Sequence, residues 1–119
     1  MVRLFTIICV VGTLAACGGP RGYNPSGGFG RGAVLFATGP IHNACMKSGR
    51  KQASAARCGC IQAVADKELS SSEQRRGVRV FSDPHSLQEA RQSDRKSDND
   101  FWAVWKAYGQ TASTLCSAT

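Results

Sequence analysis

Cysteine placement is the feature that most restricts how this chain can fold. The 119 residues include six cysteines, and four of them lie in the C-terminal two thirds of the chain: Cys45, Cys58, Cys60 and Cys116. A domain this small buries roughly 60–65% of the surface that its unfolded chain exposes, so it gains much from covalent cross-links. An even number of cysteines pairs into disulfides in an oxidising compartment but stays reduced in the cytosol, so the compartment has to be established first.

Residues 1–16 have the three parts of a secretory signal. Met1 to Arg3 is a short basic start, residues 4–14 are apolar, and Ala15 and Ala16 are small. The apolar stretch is shorter than the roughly 20 residues that cross a bilayer as a helix. A charged start, an apolar core of about 7–15 residues and small residues after it are typical of a signal peptide. We therefore predict that residues 1–16 direct export and are removed, together with Cys9.

The sequence Leu14-Ala15-Ala16-Cys17 resembles the lipobox of bacterial lipoproteins. In that family the cysteine thiol is joined to diacylglycerol, the chain is cut before the cysteine, and the new amine is acylated. The resemblance implies that Cys17 is lipidated and that its acyl chains anchor the protein to a bilayer, because each buried methylene contributes about 0.8 kcal/mol. Position 18 is Gly, whereas an Asp there often retains family members in the inner membrane. The outer membrane is therefore the expected destination, with the protein facing the periplasm; an ordinary signal peptide is the alternative.

Residues 17–32 are expected to form a tether between the lipid and a folded domain at 33–119. Gly18 to Gly32 contains seven glycines and two prolines. A segment of this composition cannot bury enough surface to offset its ordering entropy, so we predict a flexible linker with a reach of roughly 20–25 Å. The apolar residues 33–37 are expected to pack onto the domain.

Helical signals predict an all-α domain of about four short helices cross-linked by disulfides. Residues 41–48 and 54–69 show apolar residues at helical spacing. Ser70 and Glu73 form a capping box for a helix to about residue 81, although Gly77 and the alternation that follows it also permit a strand. Asp83 and Pro84 are typical of a new helix start, with Asp as N-cap.

The last predicted helix runs from about residue 98 to 116 and is the main contributor to the core. Residues 97–100 supply its capping and acidic first-turn residues. One face of this helix carries large apolar residues: Phe101, Trp105, Tyr108, Ala112, Leu115 and Cys116. Trp102 lies off that face and is expected at its rim. The partner face is expected on residues 54–69, through Cys58, Ile61, Ala65 and Leu69.

Helix geometry limits how the four cysteines can pair. At 100° per residue, Cys58 and Cys60 lie about 200° apart on their helix, so each should reach a different neighbour. Two pairings remain: Cys45–Cys58 with Cys60–Cys116, or Cys45–Cys60 with Cys58–Cys116. The symmetric placement of Cys45 and Cys58 about the turn near Lys51 favours the first.

Metal binding and catalysis are the competing interpretations of the same cysteines. His42, Cys45, Cys58 and Cys60 offer imidazole and thiolate ligands, but their spacing matches no established zinc pattern. A cysteine nucleophile paired with His42 or His85 would have to stay reduced. We therefore expect no metal, no cofactor and no catalytic residue, and hence a protein that is not an enzyme.

The formal net charge of +7 suggests an anionic partner. Arg75, Arg76 and Arg79 share one helical face and could bind anionic lipid or an acidic envelope protein, but interspersed acidic residues also fit an ordinary solvated face. Export argues against nucleic acid. The leading hypothesis is an accessory or binding module of the cell envelope. The alternatives are a metal-binding or redox protein and a solute-binding accessory of a transporter.

Several short sequences resemble small exported proteins of proteobacteria, some of which are described as arginine transporters. They are residues 58–66, Asp83-Pro84-His85 and Phe101-Trp102, so the resemblance covers about residues 41–116. A single domain without a membrane-spanning helix cannot move a solute across a bilayer. The resemblance therefore implies solute binding at most.

Overall fold

Five α-helices and no strand make up residues 35–119, the part of the chain that the computed structural model describes. The helices are α1 (Pro40–Lys47), α2 (Ala55–Glu68), α3 (Ser71–Ser82), α4 (His85–Gln92) and α5 (Lys96–Cys116). The all-α prediction is confirmed, although the number of helices is five and not four. The predicted signal peptide, the lipidation site Cys17 and the tether lie outside the described residues.

Helix α1 begins at Pro40, whose missing N–H costs nothing at a first helical position. No side chain caps it locally; instead Gln62 of α2 accepts a hydrogen bond from His42 N at 2.9 Å. The helix ends at Lys47, with Ser48 as C-cap. Gly49 follows with φ of 69°, a left-handed conformation that favours glycine. Its inward residues are Ile41 and Cys45, one turn apart.

Helix α2 is the central element, because α1 packs against it from one side and α5 from another. The side chain of Ser54 caps its start by accepting from Arg57 N at 3.1 Å. Its buried residues extend round more of the helix than the single face that was predicted: Cys58, Gly59, Cys60, Gln62, Val64 and Ala65. Ile61, predicted on the core face, is only half-buried.

Helices α3 and α4 are separated at Asp83 and Pro84. The predicted capping box of α3 is present, with Ser70 N donating to Glu73 Oε2 at 2.7 Å and Glu73 N donating to Ser70 Oγ at 3.3 Å. Residues 78–81 are helical, so the alternative of a strand is wrong. Asp83 is the C-cap of α3 and Pro84 is the N-cap of α4, so the prediction of Asp83 as N-cap of the new helix is wrong by one residue. The chain leaves the helical conformation at Asp83, so α3 and α4 are separate helices, as the predicted new start at this point implied.

Helix α5 begins at Lys96, two residues before the predicted start, and no side chain caps it. Its predicted face is buried at Phe101, Trp105 and Tyr108 and forms much of the core. The Phe101 and Trp105 rings are stacked with centroids 5.7 Å apart, and those of Trp105 and Tyr108 are 5.0 Å apart. Half-buried Trp102 lies beside this face, with Arg91 Cζ 5.6 Å from its ring centroid.

Two disulfides connect the helices, as predicted. Cys45 of α1 is bonded to Cys58, with Cα atoms 5.6 Å apart. Cys60 is bonded to Cys116 of α5, with Cα atoms 5.8 Å apart. Opposite faces of α2 are therefore bonded to different helices. This is the first of the two pairings that the sequence left open.

The residues before α1 lie against α2. Leu35 packs onto the core, and Ala37 N donates to Gly59 O at 3.0 Å. Leu35 and Ala37 therefore agree with the packing expected for residues 33–37, whereas the Phe36 side chain remains 54% exposed. Within residues 35–119, no helix is both long enough and apolar enough to cross a membrane.

Candidate functional site

A cleft of about 410 Å³ opens between α3, α4 and the first turns of α5. Its apolar lining consists of Val80, Ala90 and Phe101. The polar lining combines three guanidinium groups, two hydroxyls and two carboxyls: Arg76, Arg79, Arg95, Ser86, Ser93, Glu89 and Asp98. The volume falls in the range of about 300–1,000 Å³ that is usual for small-molecule sites.

Asp98 organises one wall of the cleft. Its carboxylate accepts hydrogen bonds from Arg76 Nη2 and Ser93 Oγ, each at 2.6 Å, and from Arg95 Nε at 3.2 Å. The bond from Ser93, then that from Arg76, and the positive charges of Arg95 and Arg76 lower the pKa of Asp98 below its ordinary value, against the opposing effect of burial. Asp98 therefore remains ionised and joins α3, the α4–α5 loop and α5.

Arg76 is fully engaged by the protein. Besides its pair with Asp98, it donates from Nη1 to Ser97 O at 3.1 Å, and its Cζ lies 4.2 Å from the centroid of the Phe101 ring. A guanidinium that stacks on an aromatic ring and binds a carboxylate at the same time is held in a single orientation. Arg76 thus links α3 to α5 and is not available as a mobile surface charge.

The three predicted patch residues have different environments although they share α3. Arg76 and Arg79 line the cleft, whereas exposed Arg75 does not. In residues 35–119, Arg79 forms no ion pair and no side-chain hydrogen bond, so it is the cleft cation without a carboxylate partner. Sequence reasoning did not name Ser93 as a site residue, and it did not place Arg95 and Asp98 in one cleft with Arg76. Ser93, Arg95 and Asp98 lie within six residues around the start of α5. That proximity in sequence does not by itself indicate a cleft.

The cleft can attract an anionic group. Its three guanidinium groups exceed its two carboxylates by one charge, and Asp98 is already bound by two of the three. Glu89 lies 3.9 Å from His85, another exposed residue of α4. A ligand carboxylate or phosphate placed at Arg79 would therefore gain a charge-assisted hydrogen bond without displacing a partner from it.

The cysteines and histidines that were considered for metal binding or nucleophilic catalysis do not line the cleft. All four cysteines at 45–116 are disulfide-bonded, so no thiolate is left for a metal or a nucleophile. His42 Nδ1 lies 3.3 Å from Asn43 Oδ1, and His85 is on α4. Among residues 35–119, no three His, Cys, Asp or Glu residues are placed to share a metal ion.

A second, smaller cavity of about 270 Å³ lies at the C-terminal end of α5. Arg57 is one of its lining residues and donates to Gln52 Oε1 and to Ser117 O, each at 3.0 Å. The bond to Ser117 supplies a donor to one of the carbonyls that a helix end leaves unpaired. The role of Arg57 is therefore to close the helix end.

Protein-family models, curated proteins and solved structures were compared with the chain, and none matches it. Function has to be inferred from the residues themselves.

Proposed function

We propose that this chain is a lipoprotein of the bacterial cell envelope, anchored through acylated Cys17 and facing the periplasm. The signal-like residues 1–16 and the lipobox-like residues before Cys17 support this proposal. The two disulfides of the helical domain suit an oxidising compartment, since cytosolic thiols are kept reduced. The outer membrane is the proposed destination because Gly18 follows the lipidation site.

The helical domain is proposed to be a non-enzymatic binding module, with the α3–α4 cleft as its ligand site. The observation that carries this proposal is the unpaired guanidinium of Arg79 in a cleft whose other cations are held by Asp98. The matching ligand is a small solute that bears a carboxylate or phosphate group. A concave site of about 410 Å³ favours such a solute over a flat protein surface, so a solute-binding accessory of a transporter is the form of the module that we favour.

The anchor is tested by the intact mass of the protein purified from envelope membranes without reductant. The expected mass is that of residues 17–119 with diacylglycerol and an amide-linked acyl chain, less four hydrogens for two disulfides. A Cys17→Ser variant should lack the acyl groups. An unacylated wild-type protein would overturn the anchor.

The cleft is tested by thermal denaturation in the presence of a panel of small carboxylates and phosphates. A ligand at 100 times its Kd should stabilise the domain by about 2.7 kcal/mol. Arg79→Gln should abolish the rise in Tm, whereas Arg75→Gln, a matched change one turn away and outside the cleft, should keep it. No rise with any solute, or the same rise in both variants, would refute the cleft as the ligand site.

A further inference from the structure

Two large apolar side chains are exposed in residues 35–119, Phe36 by 54% and Met46 by 44%. Both belong to one surface. The Phe36 ring meets the ring of His42 edge-on, with centroids 6.0 Å apart. His42 and Met46 are one turn apart in α1 and therefore lie on the same side of the helix. The three side chains thus lie on one side of the domain, with His42 between Phe36 and Met46; we call them the apolar strip.

The fold holds Phe36 in this exposed position. The backbone of the next residue, Ala37, is hydrogen-bonded to Gly59 O. The Phe36 ring lies against Gly59 so closely that a Cβ on Gly59 would be 2.1 Å from Phe36 Cδ2. An apolar ring fixed on the outside of a domain loses little conformational entropy when it binds a partner.

Basic side chains border the strip where α1 ends. Lys47 directly follows Met46, and Arg50 and Lys51 lie in the loop to α2; all three are exposed. None of them forms an ion pair with any residue in 35–119. Arg50 lies with its Cζ 5.7 Å from the centroid of the Phe81 ring, which keeps its charge close to the domain surface.

Charge is distributed unequally along the chain. The first 65 residues contain no Asp or Glu, so all eight acidic residues lie between Asp66 and Asp100. From residue 66 onward an equal number of basic residues balances them: Lys67, Arg75, Arg76, Arg79, Arg91, Arg95, Lys96 and Lys106. The excess positive charge of the described part of the chain therefore comes from Lys47, Arg50, Lys51 and Arg57. The first three follow Met46 within five residues, whereas Arg57 is bonded to Ser117 O at the end of α5.

We propose that this surface, which we call the α1 surface (Phe36, His42, Met46, Lys47, Arg50 and Lys51), docks the domain on an anionic lipid bilayer. Apolar side chains surrounded by unpaired cations are the combination that binds a charged membrane interface: the former enter the boundary between headgroups and acyl chains, and the latter contact anionic headgroups. Charge complementarity points to an anionic surface, and the exposed strip lies where the chain enters the domain from the tether.

The inference rests on the proposed lipid anchor, because the anchor brings the domain to the bilayer. The tether predicted from sequence reaches roughly 20–25 Å. Confinement within that distance gives the α1 surface a high effective concentration of lipid, so weak contacts suffice to hold the domain down. The α3–α4 cleft is lined by other residues and stays separate from the docking contact.

Met46 is a natural reporter of docking, since Met1 is the only other methionine and belongs to the predicted signal peptide. We suggest oxidative footprinting of the acylated protein in vesicles of phosphatidylcholine alone and of phosphatidylcholine with about 30 mol% phosphatidylglycerol. Docking should slow Met46 oxidation at least about threefold in the anionic vesicles and leave it unchanged in the neutral ones. Oxidation of His85 on α4 should be the same in both.

A charge-reversed variant tests which residues are responsible. Lys47→Glu with Lys51→Glu should restore rapid Met46 oxidation on anionic vesicles. The matched control, Lys67→Glu with Lys106→Glu, changes the net charge equally at exposed positions outside the α1 surface and should keep the protection. Loss of protection in both variants would show that only the overall charge matters and would overturn the proposal.

Other outcomes separate this inference from the anchor on which it rests. Equal Met46 oxidation in both kinds of vesicle refutes docking while leaving the anchor intact. Protection that grows with protein concentration in detergent without vesicles assigns the α1 surface to a second copy of the chain and also overturns the proposal. If the intact mass shows no acyl groups, the proposed anchor is refuted. Docking is then tested separately, by mixing the unacylated protein with the same vesicles and measuring the oxidation of Met46.

Discussion

Gly77 of α3 lies against the indole ring of Trp105 of α5, so closely that a Cβ on Gly77 would be 2.1 Å from Trp105 Cζ3. The ring cannot easily move aside, because it contacts the rings of Phe81, Phe101 and Tyr108. Glycine in a helix interior normally costs stability. Here the missing side chain provides the space in which the largest residue of the core packs.

We predict that Gly77→Ala destabilises the domain. Helix propensity alone would favour Ala by about 1 kcal/mol, whereas inserting a methyl group into a tightly packed core costs about 1–3 kcal/mol. Since the Trp105 ring is held by three aromatic neighbours, we expect packing to dominate and the free energy of unfolding to fall by about 1–2 kcal/mol. Urea denaturation followed by circular dichroism measures the change.

Gly109→Ala is the matched control for this substitution. Gly109 is an exposed residue in α5, and a Cβ there would have no atom within 4 Å. The same exchange should therefore show the propensity effect alone and stabilise the domain by about 0.5–1 kcal/mol. Stabilisation by both substitutions would contradict the packing explanation at Gly77.

We predict that Asp98→Asn destabilises the domain at neutral pH, because Arg76 and Arg95 lose the charge that they share. The folded-state pKa of Asp98 is lowered from 3.8. A lowered pKa means that the carboxylate stabilises the fold above the unfolded-state pKa and that this contribution is lost as the pH falls through the folded-state value. The Tm difference between wild type and variant should therefore be full at pH 7 and shrink below about pH 3.8.

Asp100→Asn provides the comparison for Asp98. Asp100 pairs with Lys96 at 2.6 Å, but both side chains are mostly exposed. Surface pairs of this kind contribute less than about 0.5 kcal/mol, so the Tm of this variant should stay close to that of the wild type at neutral pH. If both variants lose the same amount of Tm, the contacts of Asp98 with Arg76, Ser93 and Arg95 stabilise the domain no more than an exposed ion pair does.

The features that were predicted well from sequence are those that depend on residues close together in the chain. The capping box of Ser70 and Glu73 and the apolar face of α5 depend only on spacing within one helix, and both are present. The two misplaced helix starts are ambiguous locally: Asp83 can begin a helix or end one, and in this chain it ends α3. The polar residues near position 98 suggested a later start for α5 than the structure shows.

The cleft and the buried polar cluster could not be predicted because they depend on contacts between helices. Arg76 and Asp98 are 22 residues apart. Charge patterning alone gave Arg76 as part of a surface patch for an anionic partner, or of a solvated face, and did not indicate its pair with Asp98. Gln62 is fully buried although nothing in its sequence context distinguishes it from a surface residue. Periodicity reports one apolar face, whereas α2 is covered on several sides, so a polar residue there becomes part of the core.

Gln62 is predicted to stabilise the interior through its amide. Its Oε1 accepts from His42 N, and its Nε2 donates to Asp66 Oδ1 at 2.8 Å and to Gln74 Oε1 at 2.9 Å. Gln62→Met keeps the length of the side chain but leaves these groups without a partner, so the free energy of unfolding should fall by about 1–3 kcal/mol. Exposed Gln110→Met should change it by less than about 0.5 kcal/mol.

The bond between Gln62 and Gln74 allows a second check. If the two amides act together, the loss of unfolding free energy in the Gln62→Met, Gln74→Met double variant should be smaller than the sum of the two single losses. Gln74 also donates weakly to Ala65 O and Asp66 Oδ1, each at 3.3 Å, so its own loss should be measurable. If the loss of unfolding free energy in the double variant equals the sum of the two single losses, the hydrogen bond between Gln62 and Gln74 contributes little to stability.

The two disulfides should differ in how much they stabilise the domain, because they close loops of different length. The Cys60–Cys116 bond spans 56 residues and the Cys45–Cys58 bond spans 13. A cross-link lowers the entropy of the unfolded chain more when its loop is longer, by about 4 kcal/mol for the long loop and about 3 kcal/mol for the short one. Pairwise replacement by Ala, followed by urea denaturation of each double variant, should therefore show the larger loss for Cys60 and Cys116.

Both disulfides should also resist reduction in the folded protein. Cys58 and Cys60 are exposed by 0% and 1%, so a thiol reagent can reach their sulfurs only when the domain opens. We expect few free thiols after treatment with dithiothreitol in buffer and four after the same treatment in urea, counted by alkylation and mass spectrometry. Rapid reduction without urea would show that α2 separates from its neighbours in the native state. The losses of unfolding free energy predicted for Gln62→Met and Gly77→Ala would then have to be smaller than stated.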